Sequence, residues 1–196
     1  MIYWIAYVIT KFVALIFFPR RVIGFENLPK KGGFIVASNH LSYLDPQIIG
    51  MCMWRRFSYV AKDSLFKNEF ASFILHQVGA FPIKRDTSDF RGIREILRRL
   101  KMGCPVVIFP EGTRGVGGRA KKPQQGIGLV AVKSKVPVIP CFVSGSDKVL
   151  PPGAKFFKRH LVTVTFGKPM HFSEDQSYST IASLIVDQIY TLSSAP

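Results

Sequence analysis

Short apolar runs alternate with amphipathic stretches along most of the chain. Seven of these runs are rich in the β-branched and aromatic residues that strands favour. They lie at residues 22–26, 34–38, 57–61, 80–83, 105–109, 137–143 and 161–166. Because helical stretches separate them, we expect an α/β fold with a mostly buried mixed or parallel sheet flanked by helices.

Three stretches between the runs have apolar residues at helical spacing. Residues 89–101 combine an apolar stripe with arginines on the other faces, and residues 126–135 stop before Pro137. A third helix is predicted after Ser173, where the segment SEDQ is typical of a capping box. Its predicted apolar face consists of Ile181, Leu184, Ile185 and Ile189.

The N-terminus is the most apolar part of the chain. Between Ile2 and Phe18 only Thr10 and Lys11 are not apolar. As a helix this segment would be about 25 Å long, whereas a bilayer core is roughly 30 Å thick. We therefore expect residues 1–20 to form a membrane-embedded or interfacial helix, followed by an α/β domain at residues 21–196. A true membrane span and a buried core helix remain alternatives.

The charge of the chain restricts its possible partners, and its cysteines restrict its possible metal sites, disulfides and compartment. The chain has 27 Lys and Arg against 12 Asp and Glu, a net charge of +15. This excess indicates an anionic partner, either nucleic acid, an acidic membrane or a phosphorylated substrate. Cys52, Cys104 and Cys141 are widely spaced without a C-x-x-C pair, so we expect no metal site, no disulfide framework and a reducing compartment.

The segment SNHLSYLDP, residues 38–46, places His40 and Asp45 where a predicted strand ends. Asp45 followed by Pro46 predicts a helix start with Asp45 as N-cap. If the loop folds back, the carboxylate can hold one imidazole nitrogen and leave the other free to act as a base. Since no serine or cysteine nucleophile is paired with them, such a dyad would activate a substrate hydroxyl directly. A plain N-cap and a loop histidine remain the alternative.

Two basic segments also follow predicted strands. In FPEGTR, residues 109–114, Gly112 allows a tight turn and Arg114 offers a planar fork for phosphate oxygens. Glu111 would accept a hydrogen bond from a substrate hydroxyl or orient Arg114; a surface turn with an internal Glu–Arg pair is the alternative. In GAFPIKRD, Lys84 and Arg85 end a strand, where α/β folds often bind ligands, although for this segment alone a solvated basic pair is the favoured interpretation.

The segment GAKFFKRH, residues 153–160, mixes phenylalanines with cations. That composition suits an anionic membrane surface. A basic loop anchored into the core explains it as well.

Together, four motifs in this order resemble the glycerolipid acyltransferase family, most closely the 1-acylglycerol-3-phosphate (lysophosphatidate) acyltransferases. The first is matched by Asn39, His40 and Asp45, the second by Arg85, and the third by FPEGTR. The fourth is a Val-Pro-x-x-Pro strand. Further matching positions are Lys62 in VAKDSLF and Pro137 and Pro140 in VPVIP.

The resemblance implies an O-acyltransferase without a metal or cofactor. Its co-substrate would be acyl-CoA or acyl carrier protein, and its acceptor a lysophosphatidate in an anionic membrane. His40 would be the general base and Asp45 its orienting group. The expected acceptor-binding residues are Arg85, Glu111, Gly112, Thr113 and Arg114. Supporting roles are expected for Asn39, Lys62, Lys84 and Pro140.

For location, the resemblance implies the cytoplasmic face of a membrane, where the soluble thioester donor is found.

The reaction also needs a group that stabilises the oxyanion of the attacked thioester. Lys62, or a backbone N–H in the loop after residues 34–38, would stabilise the oxyanion. Glycerol-3-phosphate and other lysolipids are alternative acceptors. A non-catalytic protein that binds anionic membranes or nucleic acid is the alternative from another class, but no nucleic-acid-binding motif supports it.

Overall fold

The computed structural model describes residues 19–83, 90–114, 123–151 and 156–194. A sheet of seven strands forms its centre. The strands are β1 (Arg20–Ile23), β2 (Ile35–Ser38), β3 (Ser58–Lys62), β4 (Ala80–Ile83), β5 (Val106–Ile108), β6 (Val138–Ser144) and β7 (Val162–Phe166). Six agree with the predicted runs to within two residues. β1 starts two residues early and ends at Ile23, because Gly24 turns the chain with φ 72° into a 3₁₀ turn.

The strand order is β1–β7–β6–β2–β5–β3–β4. From β6 to β4 all neighbours are parallel, whereas β7 is antiparallel to β6 and β1 is parallel to β7. The ends of β6, β2, β5, β3 and β4 therefore meet at one side of the sheet, here called the carboxyl edge. β1 and β7 start at the same edge, since Arg20 is paired with Val162 and Thr163 with Ser144.

Six helices connect and cover the strands in the described part of the chain. They are α1 (Asp45–Met51), α2 (Glu69–Gln77), α3 (Phe90–Lys101), α4 (Gly126–Ser134), α5 (Ser146–Val149) and α6 (Tyr178–Thr191). α3 and α4 confirm the predicted helices. The third predicted helix is α6, but the proposed capping box was wrong: Ser177 caps α6 and accepts the Thr180 N–H at 3.1 Å.

The alternating side chains of β2 divide the core into two layers. Val36 packs with α1 on one face of the sheet, while Ile35 and Ala37 pack with α3, α4 and α6 on the other. A central parallel strand buried on both faces explains why β2 is almost entirely apolar. The predicted face of α6 is confirmed except at Leu184, which is 40% exposed.

The described residues include no helix that is both long enough and apolar enough to cross a bilayer. Most of the predicted membrane helix, residues 1–18, lies outside them. Pro19 already belongs to the folded domain, because its carbonyl accepts the Val162 N–H at 2.9 Å. The predicted membrane helix and its boundary at residue 20 stay predictions.

Candidate functional site

The carboxyl edge of the sheet collects the predicted site residues. His40 follows β2, the segment Phe109–Arg114 follows the neighbouring β5, and Lys62 ends β3 with an exposed side chain. Parallel α/β sheets bind ligands at this edge, where loops from adjacent strands converge. β4 also ends here, at Ile83, but Lys84 and Arg85 lie outside the described residues.

The imidazole of His40 is held by a buried carboxylate. Its Nδ1 lies 2.9 Å from Oδ2 of Asp45, which is 0% exposed. The same oxygen accepts the backbone N–H groups of Leu41 at 2.6 Å and Ser42 at 2.8 Å. Since an oxygen bound by these donors acts as an acceptor, Nδ1 donates and Nε2 carries the free lone pair. No described residue bonds to Nε2.

The N-cap prediction for Asp45 was wrong. Asp45 is the first residue of α1, preceded by Leu44 as N-cap, and no side chain caps the helix. Its carboxylate accepts from residues before the helix and not from the helix itself. The backbone N–H groups of Leu41 and Ser42 already donate to Asp45. These two amides are therefore excluded as donors to an oxyanion.

Asn39 fixes the loop that carries His40. Its amide Nδ2 donates to the carbonyl of Val143 at 2.9 Å, and its Oδ1 accepts the Val143 N–H at 2.7 Å. Asn39 is 2% exposed. The side chain thus continues the ladder between β2 and β6 by one more pair of hydrogen bonds, and it locks the backbone at the residue before the histidine.

Phe109 joins the two loops of the site. Its ring stacks on the His40 imidazole with the centroids 4.1 Å apart and the planes 24° apart. This contact covers one face of the imidazole and limits its rotation about the Asp45 hydrogen bond. The side chain of His40 stays 15% exposed, which leaves the ring accessible from the carboxyl edge.

The FPEGTR loop contains the predicted tight turn. Gly112 has φ 68°, a conformation that disfavours any side chain, and its N–H donates to the Phe109 carbonyl at 3.0 Å. Glu111 is turned inward and is 3% exposed. Its Oε1 accepts the hydroxyl of Tyr190 in α6 at 2.5 Å, while no described residue bonds to Oε2.

Arg114 contacts the His40 loop and not Glu111. Its Nη2 donates to the Tyr43 hydroxyl at 2.8 Å, and its guanidinium carbon lies 3.6 Å from the centroid of the Tyr43 ring. The internal Glu–Arg pair considered from the sequence is absent from the described residues. Thr113 and Arg114 are both exposed, so the cation is available to a ligand at the carboxyl edge.

Pro140 is a buried residue of the sheet. It lies buried inside β6 opposite Ala37, and its carbonyl accepts the Gly167 N–H at 2.8 Å. Cys141 follows it, next to the His40 loop but fully buried. Burial raises the pKa of the Cys141 thiol, so this cysteine is a poor nucleophile.

Three residues of the site were not predicted from the sequence: Tyr43, Phe109 and Tyr190. Tyr43 and Phe109 lie inside the quoted motifs, where their aromatic character was the available signal. Tyr190 lies 79 residues after Glu111 and its position in α6 follows only from the fold.

Comparisons with known proteins identify a family and relatives of this chain. The family model described as Acyltransferase matches residues 19–144. A chloroplast 1-acyl-sn-glycerol-3-phosphate acyltransferase of Arabidopsis thaliana is 31% identical over 162 residues, which are 81% of this chain and 45% of that protein. The Bacillus subtilis protein of the same activity name is 30% identical over 152 residues, 77% of this chain and 73% of that protein.

A solved structure has the same fold. The crystal structure of the 1-acyl-sn-glycerophosphate (LPA) acyltransferase PlsC from Thermotoga maritima superimposes with a TM-score of 0.71 at 26% identity. The match covers 91% of this chain and 73% of that chain. The chain thus spans less than half of the Arabidopsis relative and about three quarters of the other two. The matched residues include the His40 and FPEGTR loops, and the chain belongs to the Acyltransferase family.

Proposed function

We propose that the protein transfers an acyl group from a thioester to the free hydroxyl of 1-acylglycerol-3-phosphate and so forms phosphatidate. The observation that carries this proposal is the imidazole of His40, bonded to buried Asp45 at 2.9 Å with Nε2 unbonded among the described residues. Relatives with this activity name support the choice of reaction. The exposed cation of Arg114, which contacts Tyr43 of the His40 loop, supports a phosphate-bearing acceptor.

The reaction needs one base, which first takes a proton from the acceptor hydroxyl and later gives it to the leaving thiolate. Nε2 of His40 takes the proton of the acceptor hydroxyl while its oxygen attacks the thioester carbonyl. The tetrahedral intermediate then expels the thiolate, which receives the proton from the imidazolium. Asp45 stabilises the imidazolium and keeps Nδ1 as the donor, as in a triad that lacks its own nucleophile. The products are the ester and a free thiol.

The acyl group passes directly to the acceptor in this scheme. The hydroxyl of Ser38 bonds to Asn39 and that of Ser42 accepts the Leu44 N–H. Both serines and Cys141 are buried. No described nucleophile therefore lies open beside His40, and the base acts on the substrate alcohol itself.

Acceptor binding is assigned to the FPEGTR loop. Arg114 is the phosphate ligand, because a guanidinium binds two phosphate oxygens at once. Oε2 of Glu111, the carboxylate oxygen that no described residue bonds, accepts a hydrogen bond from the glycerol part. Gly112 and Thr113 shape the turn between Glu111 and Arg114. Arg85 contributes a second cation. Lys62, exposed at the end of β3, is the candidate donor to the oxyanion, since the Leu41 and Ser42 amides are already occupied.

The acyl donor is acyl-CoA or acyl carrier protein, and the protein works at the cytoplasmic face of a membrane. A soluble thioester and a lipid acceptor can meet only at such a surface. The net charge of +15 and the apolar segment at residues 2–18 favour attachment to anionic lipid.

The test is an acyl-transfer assay with the full chain in detergent. Acyl-CoA and acyl carrier protein are each combined with lysophosphatidate, with glycerol-3-phosphate and with a neutral lysolipid, and thiol release is followed. We expect release with lysophosphatidate and little with the neutral lysolipid. Thiol release with glycerol-3-phosphate alone would show that glycerol-3-phosphate, and not lysophosphatidate, is the acceptor. No release with any pair would refute the proposal.

A further inference from the structure

Two exposed apolar patches lie on either side of the candidate site. The first, called the α2 patch, follows β3 and consists of Leu65, Phe70, Phe73 and Ile74. The second, called the β7 patch, precedes β7 and consists of Phe156, Phe157 and Leu161 with Lys158 and Arg159 between them. None of these residues takes part in the chemistry described above.

The α2 patch is an apolar stripe on the outward side of a helix. α2 has no buried residue. Its residues Phe70, Phe73 and Ile74 are spaced i, i+3 and i+4, so they share one face, and they are 74%, 51% and 44% exposed. Leu75 and Val78 pack on the core from the other side. Since the outward face of a surface helix is normally polar, the stripe indicates a contact with an apolar partner.

The β7 patch combines aromatic and cationic residues. The ring of Phe156 is 83% exposed, and Lys158 and Arg159 are exposed as well. The Lys158 N–H donates to the Val149 carbonyl at 2.8 Å, which fixes this segment against the end of α5. Apolar rings beside cations match the acyl boundary and the phosphates of an anionic lipid surface.

The β7 patch lies at the carboxyl edge, where β7 starts, whereas α2 begins beyond the carboxyl end of β3 and runs towards the opposite edge, where β4 starts. β7 and β3 are separated by four strand spacings of about 4.8 Å, or about 19 Å. The loops with His40 and Arg114 follow β2, which is the middle strand of this interval, and its neighbour β5. A lipid surface that contacts the β7 patch and the first turn of α2 therefore also faces the candidate site.

We propose that the α2 patch and the β7 patch insert into an anionic bilayer and turn the carboxyl edge, with its site, toward the lipid. The cations of the β7 patch complement lipid phosphates. Two separate points of insertion also fix the orientation of the domain relative to the bilayer, which insertion of one N-terminal segment cannot do. The choice of a bilayer rests on the proposed function, in which the acceptor is a lipid.

The test measures the depth of single tryptophans in the full chain. Trp4→Phe and Trp54→Phe remove the native tryptophans, and Phe73→Trp or Phe156→Trp then reports on one patch. Met102→Trp is the matched control, because Met102 is 71% exposed at the end of α3, on the opposite edge. The vesicles contain phosphatidylglycerol and phosphatidylcholine brominated on its acyl chains, which quenches only inserted rings.

We expect both patch tryptophans to shift to the blue and lose most of their emission on these vesicles, while the control does not change. Absence of vesicle binding, or binding without quenching at positions 73 and 156, would overturn the inference. A tryptophan at position 73 that is already blue-shifted without vesicles and unchanged by them would also overturn it, since residues 2–18 or another copy would then cover the stripe.

A second variant separates this inference from the proposed function. Phe73→Ser with Phe156→Ser should keep the wild-type rate on lysophosphatidate in detergent but lose roughly tenfold or more on vesicles, the effect expected from withdrawing one deep aromatic side chain. An equal rate on vesicles would contradict the insertion. Absence of thiol release by the wild type in detergent, together with quenching, would refute the function and leave the membrane contact.

Discussion

The functional side chains of the two loops are oriented by different kinds of hydrogen bond. In the His40 loop the orienting bonds are local, because Asp45 bonds to His40, Leu41 and Ser42, all within five residues. In the FPEGTR loop they are distant: Glu111 bonds to Tyr190, 79 residues away, and Arg114 to Tyr43, 71 residues away. The hydrogen bonds that orient the base thus lie within a short segment, whereas the acceptor-binding groups are oriented by contacts across the fold.

Because of this difference, substitutions should reduce activity in two distinct ways. Changes to His40 or Asp45 should remove the reaction itself, while changes to the distant partners of the FPEGTR loop, such as Tyr190 in α6, should weaken substrate binding and spare the base. The following substitutions test that division.

Asp45→Asn should have the largest effect. The amide presents a donor where the carboxylate accepts two N–H groups and the imidazole, so the tautomer of His40 is no longer fixed. We expect kcat to fall by about 10²- to 10⁴-fold, measured by thiol release. Asp63→Asn is the matched control, because this carboxylate accepts the N–H of the neighbouring Ser64 and no other hydrogen bond from the described residues. A kcat close to wild type would show that Asp45 does not orient the base.

Asn39→Ala should act mainly on stability. It leaves the buried N–H and carbonyl of Val143 without their partners, which costs about 2 kcal/mol of the free energy of unfolding. Denaturant unfolding measures this change. The comparison is Asn68→Ala, which should cost about 1 kcal/mol, because the side chain of this exposed N-cap accepts the Ala71 N–H and no other hydrogen bond from the described residues. If Asn39→Ala costs less than Asn68→Ala, the ladder extension does not stabilise the loop.

Tyr190→Phe should raise KM more than it lowers kcat. It removes the hydroxyl that holds the buried Glu111 carboxylate at 2.5 Å, a charge-assisted bond, and we expect kcat/KM to fall roughly tenfold. Steady-state kinetics with lysophosphatidate provides the measurement. In the control Tyr59→Phe, a buried tyrosine whose pKa burial raises to about 12 loses a hydroxyl that bonds to Gln47, a residue with no assigned role in acceptor binding, so KM should not change. A pure loss of kcat in Tyr190→Phe would place Glu111 in the chemical step.

Tyr43→Phe should have the smallest effect. The ring that stacks on the Arg114 guanidinium remains and one exposed hydrogen bond is lost, so KM should rise only about two- to threefold. Tyr43→Ala removes both contacts and should raise KM further. Equal KM values for the two variants would mean that the ring does not position Arg114.

The same division explains what the sequence could predict. Apolar runs identified the seven strands, because central parallel strands are buried on both faces. The strand order did not follow, since β1 and β7 are paired through contacts between distant segments. Helix α2 was missed because its outward stripe of Phe70, Phe73 and Ile74 removes the polar face that amphipathic patterns require.

For the site, residue types and spacing identified His40 with Asp45 and the turn at Gly112. They could not identify Tyr190 as the partner of Glu111, nor Tyr43 as the partner of Arg114, because those contacts exist only once α6 and the His40 loop are folded against the sheet.

The central claim is that His40 takes the proton from the acceptor hydroxyl, and thiol release by His40→Ala with lysophosphatidate and acyl-CoA tests it most directly. His76→Ala, at an exposed histidine in α2, is the control. We predict that His40→Ala lowers kcat by at least about 10²-fold with an unchanged unfolding midpoint, while His76→Ala retains the wild-type rate. A folded His40→Ala protein that releases thiol at the wild-type rate would contradict the account.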